Sequence, residues 1–215
     1  MLEEDGKFIC GVVILKINAV LTAAHCVFEV YPKQLKVRAG TFTKLGEGSN
    51  VQLLKVAKKF IHNRYEDEGE DFDIAVLKLM ANFHFDDYVN AARIPDQSWG
   101  EPYKNTEAIA LGYGRVENNK NSQTLRKVTL KVQSRRSCLL EDPTITERML
   151  CAVGIEENAG TNCGDSGSPL IAHHRPKKPY KDVVIGIALF NYCGPQKSSV
   201  FTSTVNLRNW ITSKL

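Results

Sequence analysis

Short apolar runs recur along the whole chain, and they limit it to a β architecture. Several of the runs alternate with polar residues, as in residues 128–132, and this period of two is typical of half-buried strands. Gly, Asn, Asp and Pro lie between the runs and favour turns. A helical spacing appears only at the end, where Leu207, Trp210 and Ile211 follow Asn206, a candidate N-cap. We therefore predict an all-β chain closed by one C-terminal helix.

Composition excludes two broad classes of function. The 215 residues carry a net charge of +4, and the basic residues do not form the dense stripe expected of a nucleic-acid-binding surface. No run approaches the roughly 18 apolar residues of a membrane span. We expect neither nucleic-acid partners nor a membrane-spanning segment.

Six cysteines favour disulfide bonds in an oxidising compartment. They are even in number and form no C-x-x-C pair, which argues against zinc ribbons and thioredoxin-like redox sites. Residues 1–5 are acidic and lack an apolar core, so they do not form a secretory signal. Either a signal lies outside this chain, or the thiols are free and the chain is a cytosolic all-β binding domain.

Residues 160–169 (GTNCGDSGSP) place Ser166 between glycines, directly after an acid. Glycine allows the sharp turn that exposes a serine Oγ and brings backbone N–H groups near it. Serine is a weak nucleophile, so this interpretation requires a base and a group that orients the base.

His25 and Asp73 are the candidates for these two roles. His25 follows an apolar strand and precedes Cys26, a setting in which a structural histidine is the alternative. Asp73 opens the apolar run 74–79, so its carboxylate would be drawn inward and would need a hydrogen-bond partner. The alternative for Asp73 is a solvated acid at the end of the acidic loop 66–71, and we expect that loop to be solvated.

The order His25, Asp73, Ser166 is that of chymotrypsin rather than of subtilisin or the α/β-hydrolases. The chain resembles the trypsin/chymotrypsin-like serine endopeptidases. The strongest matches are residues 22–26 (TAAHC), 73–79 (DIAVLKL) and 164–169 (GDSGSP). Weaker matches in the same order are residues 111–114 (LGYG), 149–152 (MLCA) and 205–211 (VNLRNWI).

This resemblance implies two six-stranded antiparallel β-barrels with the active site between them. We expect one peptidase domain, with the first barrel in residues 1–92, a breaker-rich connector in 93–107, the second barrel in 108–204 and the helix in 205–215. Ser166 would be the nucleophile, His25 the general base and acid, and Asp73 the orienting carboxylate. The N–H groups of Gly164 and Ser166 would form the oxyanion hole.

The resemblance also implies the disulfide pairing, the partners and the compartment. The pairs would be Cys10 with Cys26, Cys138 with Cys151, and Cys163 with Cys193. The expected protein is a secreted monomer, and its expected partners are protein or peptide substrates and protein inhibitors. No cofactor is expected, and no calcium site either, because residues 43–51 contain a single acid, Glu47.

Three departures from the family pattern concern the activation of the site. Relatives are zymogens in which a freed Ile or Val ammonium pairs with the acid before the nucleophile, here Asp165. No such Ile-Val-Gly-Gly start is present, so we expect an N-terminally truncated first barrel. Cys163 directly precedes Gly164, where relatives have one more residue. Ser168 stands where relatives usually have glycine.

The fourth departure concerns the specificity pocket. By resemblance its base would be Thr161, where trypsin has an aspartate, and its other residues would be Leu189, Phe190, Asn191 and Ser199. Without an acid at the base, we expect small or uncharged residues before the cleaved bond. The filled pocket and the shortened loop leave an alternative, a catalytically weak or inactive homologue that acts as a binding or regulatory protein.

Overall fold

The computed structural model describes residues 1–46, 48–66, 70–96, 105–116, 120–156, 159–174, 181–189 and 198–215. Strands dominate these ranges, as predicted. The strands are β1 Leu2–Glu4, β2 Lys7–Cys10, β3 Val13–Lys16, β4 Ala19–Thr22, β5 Leu35–Ala39, β6 Gln52–Ile61, β7 Ala75–Leu79, β8 Glu107–Gly112, β9 Arg115–Val116, β10 Lys120–Asn121, β11 Arg126–Val132, β12 Met149–Gly154, β13 Pro169–His174, β14 Lys181–Ala188 and β15 Ser199–Ser203. The helices are α1 Arg135–Glu141 and α2 Arg208–Ser213, with a 3-10 turn at Pro32–Gln34.

The first unit is a seven-stranded antiparallel sheet in the order β2-β1-β5-β6-β7-β4-β3. Its two outermost strands, β2 and β3, are separated by only Gly11 and Val12 in the chain. Two residues span at most about 11 Å with the bonds that flank them, so the sheet must curl until its edges come close together. The first unit is therefore a curled sheet, with one strand more than predicted.

The second unit is a closed six-stranded barrel in the order β11-β12-β15-β14-β13-β8. Strand β11 shows how the sequence produces it. Leu130 and Val132 are buried whereas Thr129 and Lys131 are exposed, which is the alternation predicted from the sequence. Leu130 pairs with Gly154 on one side and with Ala108 on the other. Its side chain thus packs in the barrel interior.

The C-terminal helix α2 joins the core of the first unit. Leu207 and Ile211 are buried in the same apolar cluster as residues of β4 and β7. Lys78 of β7 donates to the Leu215 carbonyl over 2.9 Å. The N-cap prediction was wrong: Leu207 precedes the helix without a side-chain cap, and Asn206 donates instead to the Glu147 carbonyl.

Helix α1 was not predicted, because seven residues are too few to establish a helical period. Ser134 begins it by accepting a hydrogen bond from the Ser137 N–H over 3.1 Å. None of the described helices is long and apolar enough to cross a membrane.

Two of the predicted disulfides are present, Cys10–Cys26 and Cys138–Cys151. Cys163 is also disulfide-bonded. Its predicted partner, Cys193, lies outside the described residues. The two observed bonds fasten β2 to the segment after β4, and α1 to β12.

Leu130→Ala tests how much the second barrel depends on interior packing. Leu130 is fully buried, so removing its side chain should lower the free energy of unfolding by about 2–5 kcal/mol. Leu140→Ala is the matched control, since Leu140 is 82% exposed, and it should change stability by no more than about 0.5 kcal/mol. Urea unfolding measures both, and equal losses would contradict the packing described for β11.

Candidate active site

Strand pairing brings His25 and Asp73 to the same end of the first unit. Strands β4 and β7 are antiparallel neighbours, and Thr22 at the end of β4 lies opposite Ala75 at the start of β7. The residues just after β4 and just before β7 therefore meet. His25 is three residues past Thr22, and Asp73 is two residues before Ala75.

The Asp73 carboxylate holds His25 by two hydrogen bonds. Oδ1 accepts the His25 backbone N–H over 2.8 Å, and Oδ2 lies 2.7 Å from the ring Nδ1. The Asp73 side chain is 3% exposed and that of His25 is 25% exposed. This geometry fixes the ring and directs Nε2 away from Asp73, to within 3.5 Å of Cys26 Sγ. The alternative of Asp73 as a solvated acid is thereby excluded.

Ser166 lies on a loop that is docked against the segment carrying His25. The Gly11 N–H donates to the Ser166 carbonyl over 2.7 Å, and the Thr22 hydroxyl donates to the Gly11 carbonyl over 2.8 Å. A Cβ on Gly167, whose φ is +76°, would overlap the Gly11 carbonyl and the Thr22 hydroxyl. Gly11 and Thr22 thus connect Ser166 to the end of β4, and no pattern in the sequence indicates either contact.

The predicted oxyanion donors lie on the same loop. Within the described ranges, neither the Gly164 nor the Ser166 backbone N–H donates to a protein acceptor. Gly164 has a φ of +92°, which side chains disfavour, and its added Cβ would lie 3.3 Å from the Gly114 Cα. The position therefore suits glycine, and it leaves two N–H groups available near Ser166.

The Asp165 carboxylate accepts hydrogen bonds from two backbone N–H groups. Oδ1 accepts the Gly114 N–H over 2.7 Å, and Oδ2 accepts the Asn162 N–H over 2.9 Å. A Cβ on Gly112 or Gly114 would overlap this carboxylate, so the two glycines form its cavity. Burial raises the pKa of Asp165, and the two N–H donors and the charge of Lys44 partly offset that rise.

Lys44 supplies the positive charge near Asp165. Its ammonium lies 4.5 Å from the centre of the Phe8 ring, and its side chain lines one cavity with Cys163 and Gly164. Burial lowers the pKa of Lys44, and the Asp165 charge opposes this effect. Lys44 could not be predicted from the sequence, because it is distant in the chain from residues 160–169.

Three of the predicted pocket residues are buried next to each other. The Thr161 N–H donates to Ser199 Oγ over 2.9 Å, and the Leu189 N–H donates to the Val200 carbonyl over 3.1 Å. Thr161, Leu189 and Ser199 are all at most 9% exposed. Phe190 and Asn191, the other two predicted pocket residues, lie outside the described residues.

A metal ion has little to bind in this region. Among the described residues, the grouping with metal-ligand spacing is Cys10, His25 and Cys26. Both cysteines are joined in a disulfide, so neither offers a thiolate. No calcium site is predicted in residues 43–51, and their single acid, Glu47, lies outside the described residues.

Asp71 is not the solvated acid that was predicted for the loop 66–71. Its carboxylate forms an ion pair with Arg148, and both side chains are only 28% exposed. The expectation of a solvated acidic loop is wrong for this residue, because a cation distant in the chain neutralises it. Residues 67–69 of the loop lie outside the described residues.

The chain is similar to known proteins along nearly its whole length. The family model described as Trypsin matches residues 1–211. Ovochymase of Halocynthia roretzi is 30% identical over 94% of this chain, and hypodermin-A of Hypoderma lineatum is 28% identical over 99% of it. The chain spans 13% of the length of ovochymase and 80% of the length of hypodermin-A.

A solved structure has the same fold. Neuropsin, a serine protease expressed in the limbic system of mouse brain, superposes with a TM-score of 0.85 at 27% identity. The match covers 99% of this chain and 92% of neuropsin. The predicted chymotrypsin-like fold is therefore confirmed.

Lys44→Met tests the electrostatic support of Asp165. Because burial raises the folded-state pKa of Asp165 above its unfolded value, stability falls as the pH rises through that interval. Removing the Lys44 charge raises this pKa further, so the variant should lose more stability near about pH 8 than near about pH 4. In a chain of this size each kcal/mol corresponds to about 2–4 °C in melting temperature, so we expect a shift of a few degrees.

Lys44→Arg is the control, because it keeps the charge and should retain most of the stability at both pH values. Thermal melts of the three proteins measure the effect. A loss in Lys44→Met that is equal at both pH values would show that the charge of Lys44 does not act on Asp165.

Proposed function

Because this chain belongs to the trypsin family of serine proteases, we propose that it hydrolyses peptide bonds through Ser166, His25 and Asp73. The observation that carries the proposal is the buried Asp73 carboxylate, which binds both the backbone N–H and the ring Nδ1 of His25. A buried carboxylate fixed on a partly exposed imidazole is the arrangement that orients a general base. The Ser166 loop is docked against the same strand end.

The roles follow from this geometry and from the chemistry of acyl transfer. Ser166 Oγ attacks the scissile carbonyl while His25 Nε2 takes its proton. His25 then gives that proton to the leaving amine, and a water molecule activated in the same way hydrolyses the acyl-enzyme. Asp73 keeps the ring in one tautomer and stabilises the imidazolium that forms in both steps.

The N–H groups of Gly164 and Ser166 are proposed to receive the oxyanion. Both lack a protein acceptor within the described ranges, and such donors cost no reorganisation when charge develops on the carbonyl oxygen. Loss of one donor of this kind typically lowers the rate by about 10²–10³.

The pocket is proposed to be non-tryptic. Thr161 and Ser199 are buried, uncharged and joined by a hydrogen bond, so no carboxylate among the described pocket residues would pair with Arg or Lys. A buried cation without such a partner is strongly disfavoured. We therefore propose a preference for small or uncharged residues before the cleaved bond, with Phe190 and Asn191 completing the pocket.

The biological setting is proposed from the family and the disulfides. The observed cysteine pairs are typical of an oxidising compartment, which supports a secreted protease. Its partners would be protein or peptide substrates and protein inhibitors, bound by a monomer. We propose that residues 1–92 and 108–204 form the two units of one peptidase domain that is made as a zymogen.

Covalent labelling of Ser166 tests the proposed activity. An organophosphonate probe should label the full-length, activated protein, because the probe reacts only with a serine whose proton can be taken by a neighbouring base. Ser166→Ala should abolish labelling and lower peptide hydrolysis by about 10⁶-fold. Ser168→Ala, two residues away, is the matched control and should still be labelled. An activated, folded protein that is not labelled would favour the inactive homologue instead.

A peptide library that varies the residue before the cleaved bond tests the pocket. We expect small or uncharged residues to dominate the cleavage products, since Thr161 offers no negative charge. Thr161→Asp is the matched variant, and it should raise the relative cleavage after Arg and Lys. A profile of the unaltered protein dominated by Arg and Lys would overturn the assignment of the pocket.

A further inference from the structure

Phe72, which directly precedes Asp73, has an unusual backbone conformation. Its φ is +57°, in the left-handed region that bulky side chains rarely adopt because it is sterically unfavourable. Its ring is nevertheless buried, with 7% of its surface exposed. Since φ of Phe72 sets the direction in which the chain enters Asp73, whatever maintains this conformation also aims the Asp73 carboxylate.

Three side chains surround the Phe72 ring. The His62 ring stacks on it with centroids 4.5 Å apart and planes inclined by 19°. The guanidinium carbons of Arg64 and Arg148 lie 4.4 and 4.6 Å from the ring centre. A guanidinium group over the face of an aromatic ring is attracted to it, so these contacts favour the conformation that buries the Phe72 ring.

Asp71, the residue before Phe72 in the chain, also contacts Arg148. Arg148 Nε donates to both carboxylate oxygens over 2.9 and 3.0 Å, and a terminal nitrogen donates to Oδ2 over 2.6 Å. Thr146 adds a hydroxyl bond of 2.8 Å to Asp71 Oδ1. Burial alone would raise the pKa of Asp71, but these bonds and the charge of Arg148 outweigh it and lower that pKa.

Arg148 makes these contacts from the second unit, just before β12. Its carbonyl accepts the Ser203 N–H over 2.7 Å, and the neighbouring Thr202 hydroxyl donates to the Asp73 carbonyl over 2.9 Å. The end of β15 therefore holds both Arg148 and the backbone of Asp73. We call Asp71, Phe72 and Arg148 the Phe72 clamp.

We propose that Arg148, by fixing Asp71 and the Phe72 ring together, is a positioning residue that aims the Asp73 carboxylate at His25. This inference rests on the proposed function, because it concerns the orientation of the proposed general base. Without the clamp, Phe72 relaxes toward an ordinary φ and Asp73 turns relative to His25 Nδ1. A misplacement of about 1 Å at a catalytic group can lower a rate by about 10²-fold.

Steady-state kinetics of the full-length, activated protein test the proposal. Arg148→Met should lower kcat by about 10–100-fold with KM unchanged, because Arg148 is not among the pocket residues. Arg148→Lys should retain part of kcat, since a lysine ammonium can still form an ion pair with Asp71 but cannot make the bidentate contact of the guanidinium group. Asp71→Asn is a milder change at the same contact, and it should lower kcat in the same direction.

Arg38→Met is the matched control. Arg38 forms an ion pair with Glu3 in the first unit, and its side chain is 20% exposed. This variant should lose stability while keeping kcat. If Arg38→Met and Arg148→Met lowered kcat by the same factor, the clamp would be an ordinary stabilising contact and the proposal would be wrong.

Proton NMR gives a readout that does not depend on activity. The His25 Nδ1–H, donated to Asp73, should give a downfield resonance that disappears in Asp73→Asn. In Arg148→Met and Asp71→Asn that resonance should shift or broaden, whereas in Arg38→Met it should not. If the wild-type protein shows this resonance but does not react with the organophosphonate probe, the proposed function alone is contradicted. An unchanged resonance and kcat in both clamp variants would overturn the clamp alone.

Discussion

The hydrogen bonds between Asp73 and His25 are the contact on which the architecture around the site depends. Asp73 is 2% exposed, and a buried carboxylate without partners costs several kcal/mol. The fold meets that requirement by pairing β4 with β7, which brings the His25 backbone N–H and ring to the two carboxylate oxygens. The same contact compensates the buried charge of Asp73 and orients the His25 imidazole. A substitution of Asp73 should therefore affect both the stability of the fold and the orientation of the His25 ring.

Two main-chain carbonyls join the two units at the site. Gly11 bonds to the Ser166 carbonyl, and Thr202 bonds to the Asp73 carbonyl. These contacts cross between the units in opposite directions, one from β2 toward the Ser166 loop and one from β15 toward the Asp73 turn. Each fixes a main-chain atom rather than a side chain. The relative placement of His25 and Ser166 therefore follows from how the two units pack.

The sequence predicted the features that leave a local signature. The alternation in β11 can be read from neighbouring residues alone, and it predicts the burial of Leu130 and Val132. The even cysteine count favours disulfides, and the order His25, Asp73, Ser166 is a basis of the family resemblance. The roles of Arg148 and Asp71 could not be predicted in this way. They are 77 residues apart, and an acidic loop resembles a solvated surface until its partner is known. Helix α1 is too short to show a helical period in the sequence. The N-cap prediction for Asn206 was wrong because its side-chain amide donates to the Glu147 carbonyl instead.

Asp165 extends this argument to a second carboxylate, one that is only partly buried. Asp73 and Asp165 lie in different parts of the chain, yet both accept backbone N–H groups, from His25 in one case and from Gly114 and Asn162 in the other. Any residue other than proline can donate a backbone N–H, so no sequence motif indicates such a donor. The one visible trace is the pair Gly112 and Gly114, whose missing side chains make room for the Asp165 carboxylate. A glycine pair distant from a partly buried acid in the chain is thus informative only after the fold has shown which acid it accommodates.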